Sequence, residues 1–149
     1  MYGEAVRSLL ALLTAAAVLL GGVAVATAAG SVVLGSERFA PNGSGWGTVA
    51  PHRIDNGGVP SGIAFHLKWK SWGGKAARAH GKTYGYKPQG GYYRKPVRIV
   101  LRAHHLGRCK ADGTRAYRRL TARVAKRPGG PLGQPFLWAG QRNLCHGPR

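Results

Sequence analysis

Acidic residues are nearly missing from this chain. Its 149 residues hold four, Glu4, Glu37, Asp55 and Asp112, against 23 lysines and arginines, giving a formal net charge of +19. Glycosidase chemistry needs two placed carboxylates, and so few acids make such a pair improbable. A Ser-His-Asp set from Ser61 or Ser71, a histidine and Asp55 exists by composition only. No G-x-S-x-G elbow in a strand–turn–helix context accompanies it. Gly73-Gly74-Lys75 lacks both the Walker spacing and the Ser/Thr of a phosphate-cradling loop. No RNP signature, helix-turn-helix or zinc finger occurs, so sequence-specific nucleic-acid recognition is not expected. The histidines are His52, His66, His80, His104, His105 and His146. None has the i, i+4 spacing of a zincin, and the two cysteines form no CxxC, so neither metal nor cofactor is expected. No internal repeat is present. A non-enzymatic protein is the expectation, with a small hydrolase of unrecognised site as the remote alternative.

The hydrophobic fraction of 44% overstates the core. Much of it lies in residues 1–29, which read as a signal peptide or membrane anchor: Arg7, then an apolar run from Leu9 to Leu20, then small-x-small cleavage patterns at Ala24–Ala26 and Ala26–Ala28. The uncharged run continues to Ser36, long enough for one membrane span if uncleaved. The expected location is therefore secreted, or anchored by this N-terminal helix. No cysteine near the cleavage patterns supports a lipoprotein anchor. Cys109 and Cys145, an even pair in an exported chain, are expected to form a disulfide.

Residues 30–44 read as a flexible tail and 45–149 as one secreted domain. Gly, Pro, Asn and Ser dominate residues 35–60, with at most a short strand near Thr48–Ile54. In Ser61–Gly81 the clearest strand appears: Ile63, Phe65, Leu67 and Trp69 alternate with Ala64, His66, Lys68 and Lys70. That period of two predicts an apolar face and a basic face. The alternation breaks at Ser71-Trp72-Gly73-Gly74, which predicts a bulge or a tight turn. A second extended segment, Lys75–Tyr86, carries small residues on one face, where a backbone or ring would approach closely. Val97–Leu106 is a third, and Asp112-Gly113 would turn it into Arg115–Val124 as a hairpin. Phe136–Ala139 is a last short strand or a lid. Several short strands between Gly/Pro turns predict an all-β fold, a small sandwich or open barrel of antiparallel strands.

At Trp69-Lys70-Ser71-Trp72-Gly73-Gly74, with Ala77 and Gly81 following, the chain resembles a group of small secreted proteins of high-GC Gram-positive bacteria. That group carries a strand ending in W-x-S-W-G and then an A-x-G-x-G run. Here Ala79 replaces the middle glycine. The resemblance spans roughly residues 45–125 and implies an exported small β-domain, with no activity attached; a bacterial cell-envelope protein is the expectation.

Charge of this sign favours anionic partners. Lys68, Lys70, Lys75 and Lys82 interleave with Trp69, Trp72, Tyr84 and Tyr86, and Arg94 and Lys95 follow Tyr92-Tyr93. Cations neutralise phosphates while aromatics stack on bases or sugars. The expected polyanion-binding set is Lys68, Lys70, Trp72, Lys75, Lys82, Arg94 and Lys95, acting on an anionic polymer or an anionic membrane surface without specificity. A structural or partner-binding module is the alternative, and would need an exposed apolar patch around Trp72 and Trp138.

Overall fold

A computed structural model describes residues 30–147. The expected signal or anchor helix at 1–29 lies outside the described residues. The described residues form seven strands: β1 (Val33–Leu34), β2 (Arg53–Asp55), β3 (Ile63–Lys70), β4 (Ala77–Thr83), β5 (Val97–Arg108), β6 (Arg115–Val124) and β7 (Phe136–Leu137). All belong to one curled sheet, a half-barrel, in the order β1-β6-β5-β4-β3-β2. The fold is all-β, and its single sheet is nearer the open barrel than the sandwich.

The long strands follow from alternation. In β4, Ala77, Ala79 and Thr83 are buried while Arg78, His80 and Lys82 are exposed. In β5, Val97, Ile99, Leu101 and Ala103 are buried. β5 and β6 pair antiparallel from Ile99↔Val124 to Arg108↔Arg115, with Gly113 at φ 70° in the turn between them. This is the hairpin that Asp112-Gly113 predicts, since glycine adopts positive φ without steric cost. Leu34, Ile54, Leu67, Ile99, Leu101, Tyr117, Leu120 and Leu144 are fully buried in the concave face. Small residues of β4 let β3 close on them: a Cβ on Gly81 would sit 2.6 Å from Leu67 Cδ2 and 2.7 Å from the Phe65 carbonyl oxygen.

β3 departs from its predicted alternation. The β3–β4 register shifts between Phe65 and Lys68, and His66 takes φ 53°. One extra residue in a strand swaps the faces of everything beyond it. Ala64 and Leu67 are therefore the buried residues, three apart rather than two. Phe65, expected in the core, stands opposite exposed Lys82 and stacks on Tyr84 with centroids 5.4 Å apart. Ser71–Gly74 is the predicted tight turn, with Ser71 at φ 59°, Gly73 at φ 85° and the Gly74 amide donating to the Ser71 carbonyl.

The segment 30–44 is not a free tail. Val32, Val33, Leu34, Ser36 and Phe39 are buried. β1 runs parallel to β6 through Val33↔Ala116 and Leu34↔Tyr117, on the same edge of β6 that β7 pairs farther along at Thr121↔Leu137. The Ser36 amide donates to the Leu144 carbonyl at 2.8 Å, and the Leu144 amide to the Arg118 carbonyl at 2.9 Å. Cys109 and Cys145 are joined as a disulfide, and with Val33 and Ala116 they form a second small core.

Candidate anion-binding face

Strand pairing turns separate basic residues into rows on the convex face. Lys70 stands opposite Arg78, Arg78 opposite Arg102, and Arg102 opposite Thr121. A second row runs Lys68, His80, Val100, Arg123, and a third Phe65, Lys82, Arg98. Directly opposed like charges on a sheet destabilise it, by roughly 0.2–1 kcal/mol per pair. The fold nevertheless sets Lys70, Arg78 and Arg102 side by side, and Lys82 beside Arg98. Adjacent strands lie ~4.8 Å apart, so the cations repeat at a spacing of that order across the sheet.

Among the described residues the one ion pair is Arg53–Asp55, at 3.1 Å. Asp55 also accepts from the Gly57 amide, and Asp112 is engaged by the Thr114 amide and the Ser36 hydroxyl. Among the described residues no carboxylate thus pairs with the rows. Along β6 the arginines are held by carbonyl oxygens instead: Arg119 Nε donates to Arg142 at 3.1 Å and Arg123 Nε to Gly133 at 2.9 Å. Such bonds orient a guanidinium and leave its charge intact.

Two adjoining hollows lie on this face. One, of about 760 Å³, is lined by Lys75, Ala76, Arg102, His104, His105 and Leu106. The other, of about 370 Å³, shares Arg102 and His104 and continues to Arg123 and Pro135. His104 Nδ1 lies 2.7 Å from His105 Nδ1, and His104 Nε2 lies 2.9 Å from Thr121 Oγ1. Both imidazoles are held below the usual histidine range. Burial is the main cause for His104, followed by Arg102, His105 and Arg119. Lost hydration comes first for His105 too, then Arg119, Arg118 and Arg102. A contact between two Nδ1 atoms requires one to accept, so at least one ring is neutral.

Comparison with known proteins finds no matching family, no matching curated protein and no matching solved structure. The reading of the face therefore rests on its own geometry.

Of the residues singled out from the sequence, Lys68, Lys70 and Lys82 stand together on the convex face. Lys75 sits in the turn before β4 and lines the larger hollow. Arg94 and Lys95 are exposed on the 84–96 loop, outside the strand rows. Trp72 leaves the set. Its indole N–H donates to the Val32 carbonyl at 2.9 Å, and its ring meets Trp69 and Tyr117 edge-on at 4.8 and 5.2 Å. The turn at Ser71 and Gly73 folds it back onto the concave core, because an indole beside two rings buries more apolar area than one in solvent. Trp72 is half-buried there, and Trp138 is buried and donates to Asn56 Oδ1, so no exposed patch forms from these two rings. Arg78, Arg98, Arg102 and Arg123 belong to the rows and were missed. The signal was present in the alternation of Arg98 and Arg102 with buried Val97, Ile99 and Leu101. Among the described residues, no three His, Cys, Asp or Glu side chains gather as a metal site would require.

The position of Trp72 gives a direct check. Trp72→Phe leaves the Val32 carbonyl without its donor and shrinks the ring cluster, so stability should fall by about 1–2 kcal/mol. Binding to a polyanion should be unchanged. Chemical denaturation reads the first, and a polyphosphate titration of the folded variant reads the second.

Proposed function

We propose that this is an exported, non-enzymatic, basic protein of the bacterial envelope whose convex sheet face binds anionic polymers without sequence specificity. The observation that carries this reading is the in-register run Lys70–Arg78–Arg102, with Lys82 against Arg98, unmatched by any carboxylate among the described residues. Cations set side by side at a cost in stability call for a counter-charge from outside the chain. A polymer of high linear charge density supplies it at the spacing of the strands, and an anionic membrane surface offers the same chemistry less compactly. The Cys109–Cys145 bridge and the leader-like residues 1–29 are consistent with an oxidising compartment.

The test is retention on an immobilised polyphosphate column across a salt series. Log affinity should fall linearly with log salt, by a slope of roughly 0.7–0.9 per phosphate contacted. Retention that is flat with salt overturns the reading.

One observation favours a partner-binding module instead. Tyr86 and Phe136, 57% and 46% exposed, border a hollow of about 420 Å³ that Trp138 floors. Exposed aromatics of this kind serve protein contacts. Charge reversal at Lys68 and Lys70 separates the readings, because it weakens polyanion binding and leaves an aromatic contact intact.

A further inference from the structure

The convex face is not uniform. At one place two of its cations meet two histidines, in the hollow between the Ser71–Ala76 turn and the far half of β5. Lys75 enters from the turn, Arg102 and His104 from β5, and His105 from the kink where β5 takes φ 58°. Leu106 supplies a low-dielectric wall, against which charge interactions strengthen. We propose that this hollow seats a phosphate group of an extended polyanion, and that protonation of His104 and His105 tightens the grip. The inference rests on the reading of the face given above and narrows it to a phosphate-bearing polymer and one anchoring site.

The donors that line the hollow suit an oxyanion in kind. Arg102 offers a planar fork, Lys75 a mobile ammonium, and His105 the ring nitrogen outside the Nδ1 contact, while His104, engaged at both ring nitrogens, donates only once that contact opens. The neighbouring hollow, which shares Arg102 and His104 and ends at Arg123, lets the polymer continue across β6. A single small anion would use only the first of the two.

The pH dependence follows from what surrounds the histidines. Among the described residues every charged group facing them is a cation: Lys75 from the turn, Arg78 from β4, Arg102 from β5 itself, and Arg118 and Arg119 from β6. Arg118 Nε also donates to the His105 carbonyl at 3.3 Å. In the free protein these cations oppose protonation, and the Nδ1–Nδ1 contact keeps one ring neutral. A bound phosphate reverses both terms: it screens the arginines, accepts from His105, and accepts from His104 Nδ1 once protonation of both rings breaks their contact. The bound-state histidines therefore take up protons at higher pH than the free-state ones. Affinity rises as pH falls through the bound-state range and levels off below the free-state range. Each unit of separation is worth about tenfold in affinity.

The experiment titrates the protein with long-chain inorganic polyphosphate, whose interior groups do not titrate here, between pH 8 and pH 5 at fixed ionic strength. Wild type should gain about tenfold to a hundredfold in affinity across that window, and the His104→Gln/His105→Gln variant should lose the pH dependence. In parallel, the imidazole NMR signals of wild type should titrate at higher pH with polyphosphate than without. Polyphosphate binding that is salt-sensitive but flat with pH overturns the anchoring site while the face remains. A pH gain that survives in the double variant also overturns it, assigning the effect to His66 or His80. Equal pH-dependent gain with polyglutamate overturns the phosphate assignment. Absence of binding at every pH overturns both this inference and the reading beneath it.

Discussion

Replacing Cys109 and Cys145 together by alanine is expected to lower the unfolding free energy by about 4 kcal/mol. The cysteines are 36 residues apart, and closing a loop of that length restricts the unfolded chain by about this amount in the entropy model. The native side adds to it. The bridge fastens the C-terminal segment at the place where Leu144 accepts from Ser36 and donates to Arg118. Val33, Ala116 and the two cysteines pack there as a core separate from the main one. Without the bridge, Leu144 and residues 32–36 lose the clamp that holds them on β6. Small domains commonly have only ~5–15 kcal/mol in all, and cationic self-repulsion works against this one. Guanidinium unfolding of the oxidised wild type and the alanine variant reads the loss. Hydrogen exchange should show the amides of Leu34–Ser36 and Leu144 losing protection first. A loss below about 1 kcal/mol, with those amides still protected, would mean that burial of Leu34 and Leu144 alone holds the segment.

That clamp also marks where the sequence became hard to read. β4, β5 and β6 were legible because seven or more residues of alternation identify a strand and its faces. β1 has two residues, and its pairing is with a strand more than eighty positions later. Nothing local in Val32–Leu34 distinguishes a parallel edge strand from the end of an apolar leader. β3 was legible as a strand but not in its facing. The left-handed φ at His66 has no glycine to announce it, and it places Phe65 beside Lys82 rather than in the core. The W-x-S-W-G motif was visible as a break, yet whether Trp72 turned inward depended on Val32 and Tyr117, far away in sequence. Lys68, Lys70 and Lys82 were found through their aromatic neighbours. Arg78, Arg98, Arg102 and Arg123 emerged only when pairing aligned them with Lys68, Lys70 and Lys82. The hollow at Lys75, Arg102 and His104 is likewise a product of three elements, and no one segment carries it.

Reversing Arg78 and Arg98 to glutamate should move stability and binding in opposite directions. Arg78 stands between Lys70 and Arg102, and Arg98 stands opposite Lys82. The Arg78→Glu/Arg98→Glu variant converts three repulsive cross-strand pairs into attractive ones. At roughly 0.2–1 kcal/mol for each pair, stability should rise by about 1 kcal/mol. The same variant changes the charge of the face by four units. One phosphate contact near physiological salt is worth roughly fivefold by counterion release, so four units correspond to about a thousandfold loss of polyanion affinity. Urea unfolding and a polyphosphate titration on one preparation measure both quantities. If the rows were merely a solvated surface, the variant would gain stability and bind as before, and the binding face would have to be abandoned. A gain in stability together with a steep loss of affinity is the signature of a surface that holds its charges apart from their counter-ions for a ligand to complete.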